Sequence, residues 1–161
     1  MKRWMQSREF LNQEIERLPM PESSTHLALV GRIIDHIAEH FRGINDLAVL
    51  HDLPGRIGCT KPPKIGLYRP DVYAVDAPLT QTIIGEAKTQ GDLETQHTHK
   101  QLTAFVRFLA IQNNAVLILA VPWQAKARGG AVLSSIARHV GTTSVRFVVV
   151  DNVSIGESSH A

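Results

Sequence analysis

RPDVYAVDAPLTQTIIGEAK, residues 69–88, places two short runs rich in β-branched and aromatic residues on either side of a turn-forming stretch. The first run covers 69–75 and the second 82–88, with Asp76, Ala77, Pro78, Leu79 and Thr80 between them, which predicts an antiparallel hairpin. A turn centred between Pro78 and Leu79 pairs residues whose numbers sum to about 157, so Asp71 faces Glu86. Glu86 and Lys88 lie two apart on one strand and share a face. Three ionisable side chains therefore converge. Facing carboxylates repel unless a cation lies between them, so this arrangement suits a hard divalent ion such as Mg²⁺ or Mn²⁺. A lysine beside such a site orients or deprotonates water and offsets charge on a phosphate. Glu and Lys two apart are by themselves ordinary for an exposed strand; the facing aspartate is what sets this pair apart.

Upstream of the hairpin, a loop over 52–69 is rich in Pro and Gly and carries Arg56, Lys61, Lys64 and Arg69 with no acid after Asp52. These four cations are candidates for gripping a nucleic-acid backbone. Before the loop, 47–50 reads as a strand. Ser23, Ser24 and Thr25 offer N-caps for a helix running to about Phe41, with an apolar stripe of Leu27, Val30, Ile34, Ile37 and Phe41. Pro19 and Pro21 separate that helix from an opening amphipathic segment, 2–18, in which Trp4, Leu11, Ile15 and Leu18 share a side. Downstream, a helix is expected over 95–112, a buried strand over 115–121, a helix entered through Gly129 and Gly130 and ending near His139, and a last strand over 145–150. The expected fold is α/β, a central mixed β-sheet flanked by helices. An N-terminal helical extension (1–22) precedes the domain (23–153), and a polar tail (154–161) follows it.

The chain has 161 residues, 43% of them hydrophobic, enough for one core and too few for two comfortable ones. No apolar run is long enough to cross a membrane, and charged residues interrupt the first twenty positions, so a soluble cytoplasmic protein is expected. A single cysteine, Cys59, excludes an internal disulfide and a structural zinc cluster. The net charge of +2 hides an asymmetry. Between Thr95 and Val150 there is no Asp or Glu, while Lys100, Arg107, Lys126, Arg128, Arg138 and Arg146 lie there. Such a half attracts a polyanion.

Pro70 and Asp71, followed fifteen positions on by Glu86, Ala87 and Lys88, resemble the motif of the PD-(D/E)xK nuclease superfamily, whose members include RecB-like, Holliday-junction-resolvase-like and restriction-endonuclease-like enzymes. The resemblance covers most of the chain and implies a restriction-endonuclease-like core in the order α-β-β-β-α-β, here with an extra helix and strand. It implies that Asp71 and Glu86 ligate the metal, that the Ala87 carbonyl adds a ligand, and that Lys88 serves as base or water-orienting group. It further implies a Mg²⁺-dependent endonuclease acting on DNA, with a homodimer as one way to cut both strands. Gln101, followed four residues later by Phe105, is similar to a helix motif of the RecB-like branch in which Gln precedes Tyr, which would add Gln101 to the catalytic residues. Phe105 departs from that motif. Many members carry an acidic residue on the first core helix; Glu22, Asp35 and Glu39 are the nearest, and none is clearly placed. That gap and Phe105 motivate a second reading, a nucleic-acid-binding or assembly module that kept the fold without catalysis.

His36, Glu39 and His40 also spell the His-x-x-Glu-His pattern of inverted zinc proteases, with both histidines on one helix face. No downstream glutamate helix completes it, and a solvated face accounts for it as well. His97 and His99 follow the site strand, either near a phosphate or simply solvated at a helix start.

Overall fold

In the computed structural model, which describes residues 23–153, the hairpin forms in the expected register. Strand β2 (Val72–Val75) runs antiparallel to β3 (Thr82–Ala87), with Val72 opposite Gly85 and Val75 opposite Thr82. The connection is held by Asp76, whose Oδ1 accepts from the backbone N of Thr80 at 2.8 Å and of Gln81 at 2.9 Å. Leu79 takes a left-handed conformation at φ 58° to close the turn.

Strand β1 (Ala48–His51) pairs antiparallel with β2 on the outer side. On the other side of β3 lie β4 (Ala115–Val121) and β5 (Arg146–Asp151), both parallel to it, so the five-stranded mixed sheet has the order β1-β2-β3-β4-β5. β4 is buried at every position because helices cover both of its faces, which explains its unbroken apolar run.

Helix α1 (Ser24–His40) covers one face, sealing Leu29, Ile33 and Ile37 against Val72, Ala74, Ile83, Val116 and Ile118. Ser23 caps it, its hydroxyl accepting from the backbone N of His26 at 3.2 Å. Helices α2 (Gln96–Leu109) and α3 (Lys126–Val140) cover the other face, where Leu102, Phe105, Leu133 and Ile136 meet Ile84, Leu117 and Leu119. The sheet thus separates two apolar layers, and burying both is what fixes the register of each strand.

The long basic segment of 52–69 is a loop, as expected, tied down by isolated bridges between His51 and Thr60 and between Ile65 and Tyr68. The strand expected from residue 69 begins only at Val72, because Pro70 has no N–H for a ladder. One expectation fails: Gly129 and Gly130 do not lead into the last helix but lie inside α3. The reason is packing, since a Cβ on Gly129 would lie 3.3 Å from Leu119 Cδ2, so the glycine lets the helix sit close on β4. Among the described residues no helix is long and apolar enough to cross a membrane. The opening segment of 2–18 and the tail of 154–161 lie outside the described residues, as does Glu22.

Candidate active site

The C-terminal ends of β1 and β3 and the N-terminal end of β2 meet at one end of the sheet. Asp71 stands one residue before β2, and the hairpin register sets it opposite Glu86 on β3. Its Oδ2 accepts from the backbone N of Ala87 at 2.8 Å, and its own backbone N donates to Glu86 Oε2 at 3.4 Å. The two carboxylates are thereby interlocked through the main chain. Lys88 extends the edge by one residue, its backbone N donating to the Ala120 carbonyl on β4 at 2.9 Å.

Glu86 has the same side-chain direction as Ile84 and points toward α2. It is 2% exposed. Lys88 Nζ lies 2.8 Å from Glu86 Oε1 and also donates to Gln101 Oε1 at 2.7 Å. Gln101 is buried on α2, which Thr95 caps by accepting from the backbone N of Thr98. The four residues expected to act together, Asp71, Glu86, Lys88 and Gln101, are therefore contiguous. Ala87, between Glu86 and Lys88 in sequence, is buried with its side chain in the apolar layer under α1.

Burial, and then the adjacent Asp71 charge, push the Glu86 carboxyl up to about 8, against the opposing pull of the Lys88 ammonium. A desolvated carboxyl beside a second one keeps its proton unless more positive charge arrives. Lysine alone does not supply enough.

Nothing in the sequence pattern singles out His26, in the first turn of α1, yet its Nε2 lies 3.3 Å from Asp71 Oδ1. Its approach depends on Gly85. A Cβ there would come within 2.4 Å of Ile33 Cγ2 and 3.1 Å of Val72 Cβ, so only a bare backbone lets α1 lie this close to β3. The acidic candidates of that helix are elsewhere: Asp35 is bound to Arg56 at 2.8 Å, and Glu39 sits exposed beside His40.

The four loop cations divide. Arg56 is engaged by Asp35, and Arg69 donates to the Pro62 carbonyl. Lys61 and Lys64 are exposed. His36 and His40 stack ring on ring at 4.0 Å, and His40 Nδ1 lies 3.1 Å from the His36 carbonyl. Burial, followed by the neighbouring His40 charge, holds His36 below its ordinary value. His97 stands edge-on to Tyr68 at 5.6 Å, whereas His99 lines a surface groove along α2.

Among the described residues no group of three or more His, Cys, Asp or Glu side chains is arranged to hold a metal ion. The zinc-protease pattern therefore acquires no third ligand there. At the sheet end the donors are the Asp71–Glu86 pair, with His26 on the outer oxygen of Asp71. Comparison of the chain with family models, with curated proteins and with solved structures finds no match.

Proposed function

We propose that this protein is a divalent-metal-dependent nuclease of the PD-(D/E)xK type, with a restriction-endonuclease-like core, that hydrolyses DNA phosphodiester bonds. The observation that carries the reading is the buried Glu86 held against Asp71, whose backbone N donates to Glu86 Oε2 at 3.4 Å, with Lys88 Nζ 2.8 Å from the other carboxyl oxygen. As architecture this pairing is costly. As a cradle for a hard cation it is apt, because two carboxylates, together with a backbone carbonyl, would give an all-oxygen donor set of the kind Mg²⁺ and Mn²⁺ take, with water completing the shell.

Asp71 and Glu86 would hold the ion, with the Ala87 carbonyl as a further donor. When bound, the ion supplies Lewis-acid polarisation of the phosphate and lowers the pKa of water. Lys88 Nζ, anchored by Gln101, orients the attacking water and offsets charge developing on the phosphate. Its clamp between Gln101 and Glu86 fixes a long side chain before substrate arrives. His26 aligns Asp71 from the α1 side. The site lies at one end of a single domain, so cutting both strands would take a homodimer or two successive nicks.

The test is incubation of the purified protein with supercoiled plasmid, linear duplex, single strands and branched junctions, in Mg²⁺, Mn²⁺ or chelator. Cleavage should require the metal and fall by at least about 10²-fold in Lys88→Ala. Wild type and Lys88→Ala behaving alike on every substrate would rule out the assignment. Binding without metal-dependent cleavage would point instead to a non-catalytic nucleic-acid module.

A further inference from the structure

The cations of this fold sort by whether the protein already engages them. Arg56, Lys126 and Arg128 are in ion pairs with Asp35, Asp151 and Glu94. Arg32, Arg42, Arg69 and Arg138 donate to backbone carbonyls, Arg146 lies over the Phe41 ring, and Lys88 belongs to the site. Among the described residues, Lys61, Lys64, Lys100 and Arg107 remain with no such partner, and all four are exposed.

Two of these four lie in one place. Lys100 and Arg107 line a groove of about 360 Å³ along α2 together with Tyr68, His99 and His139, and no acidic residue contributes to its wall. Lys100 directly precedes Gln101, the residue that anchors Lys88, so one end of the groove lies at the level of the site along α2, and the groove runs from there toward the C-terminal end of the helix. Lys100 and Arg107 are seven residues apart, two helical turns or about 10 Å along the axis. Tyr68 lines the same groove, its ring set edge-on against Phe105 at 6.5 Å and His97 at 5.6 Å. A half-buried aromatic ring so fixed is a surface on which a sugar or base can rest. The complete lack of Asp and Glu between Thr95 and Val150 leaves nothing on these helices to repel a phosphate.

We propose that this groove binds a single DNA strand without regard to sequence, Lys100 and Arg107 each taking a phosphate, and leads that strand to the Asp71–Glu86 site. The proposal rests on the nuclease reading for its direction but concerns binding, which is measured separately from cleavage. Two phosphate contacts on a single strand, at a log–log salt slope of about 0.7 each, are worth roughly 25-fold in affinity at about 0.1 M salt.

The test is fluorescence anisotropy with labelled single-stranded and duplex DNA in chelator over a salt series, on the full chain. The double variant Lys100→Gln/Arg107→Gln should bind single strands roughly 25-fold more weakly, with a salt slope smaller by about 1.4. Lys126→Gln, whose lysine is already paired with Asp151, should bind as wild type does, and circular dichroism should show all variants folded. Unchanged affinity and slope in the double variant would overturn the groove and leave the metal site untouched. A wild-type protein that binds no DNA would overturn it as well. Loss of binding in the double variant, with no cleavage by wild type in Mn²⁺, would uphold the groove and reject catalysis.

Discussion

Replacing Glu86 with glutamine should make the metal-free protein more stable, because the native carboxyl is held where it does not belong energetically. Its value rises from 4.5 to about 8 on folding, driven first by burial and second by the Asp71 charge. Between those two values the folded state binds a proton that the unfolded state has released, so stability falls as pH rises through the window. At about 1.4 kcal/mol per unit, the loss is on the order of 5 kcal/mol across the window and on the order of 3 kcal/mol by pH 7. The Glu86→Gln variant carries an amide with no proton to lose, and it keeps an oxygen for Lys88 Nζ.

The assay is urea unfolding of wild type and Glu86→Gln at about pH 5, 7 and 8.5 in chelator and again in excess Mn²⁺. His36 titrates nearby with the opposite sign: burial lowers it, so its contribution grows as pH rises through that lowered value. The readout is therefore the difference between variant and wild type, in which His36 cancels. The two should be close near pH 5 and should separate by about 1–2 M in urea midpoint at neutral pH, with the variant higher. Mn²⁺ should restore wild type and leave the variant unchanged, since the ion takes the place of the proton. A variant less stable than wild type at every pH would refute the reasoning. It would mean that Lys88 satisfies an ionised Glu86 and that the pair is a structural ion pair.

Gly85→Ala should cost roughly 1–3 kcal/mol, read as a lower midpoint in thermal melting, because the added Cβ meets Ile33 Cγ2 at 2.4 Å. His26→Ala should weaken Mn²⁺ binding by calorimetry while the far-ultraviolet circular dichroism stays that of wild type, and an unchanged affinity would remove His26 from the site. Asp76→Ala should destabilise the hairpin, since three donors from Thr80 and Gln81 lose their acceptor. Chiefly through the Thr80 hydroxyl, Asp76 is held below the usual carboxylate range, so its contribution is present at neutral pH and lost as pH falls through that lowered value; the variant should show a shallower acid limb in its stability profile.

What the sequence makes readable here, and what it hides, follow from the range of the forces involved. Strand alternation and turn chemistry act over a few residues, so the summed register of the hairpin is open to reading, and with it the meeting of Asp71 and Glu86 fifteen positions apart. The five strands and three described helices follow from the same short-range patterns. His26 is invisible at that level because its place beside Asp71 depends on α1 crossing the sheet at Gly85, where Ile33 packs, a contact between residues 52 positions apart with no periodicity to announce it. Gly129 misleads for the same reason, its small size serving a neighbouring strand rather than its own helix. The loop cations show the converse: charge is plain in the sequence, but whether it is free is a tertiary fact. Arg56 is bound to Asp35, whereas Lys100 and Arg107 face open groove. A search for phosphate contacts by composition therefore weights engaged and unengaged cations alike; of the four left unengaged, Lys100 and Arg107 are the two that share a groove, and that tertiary fact is what draws the proposed strand path along α2.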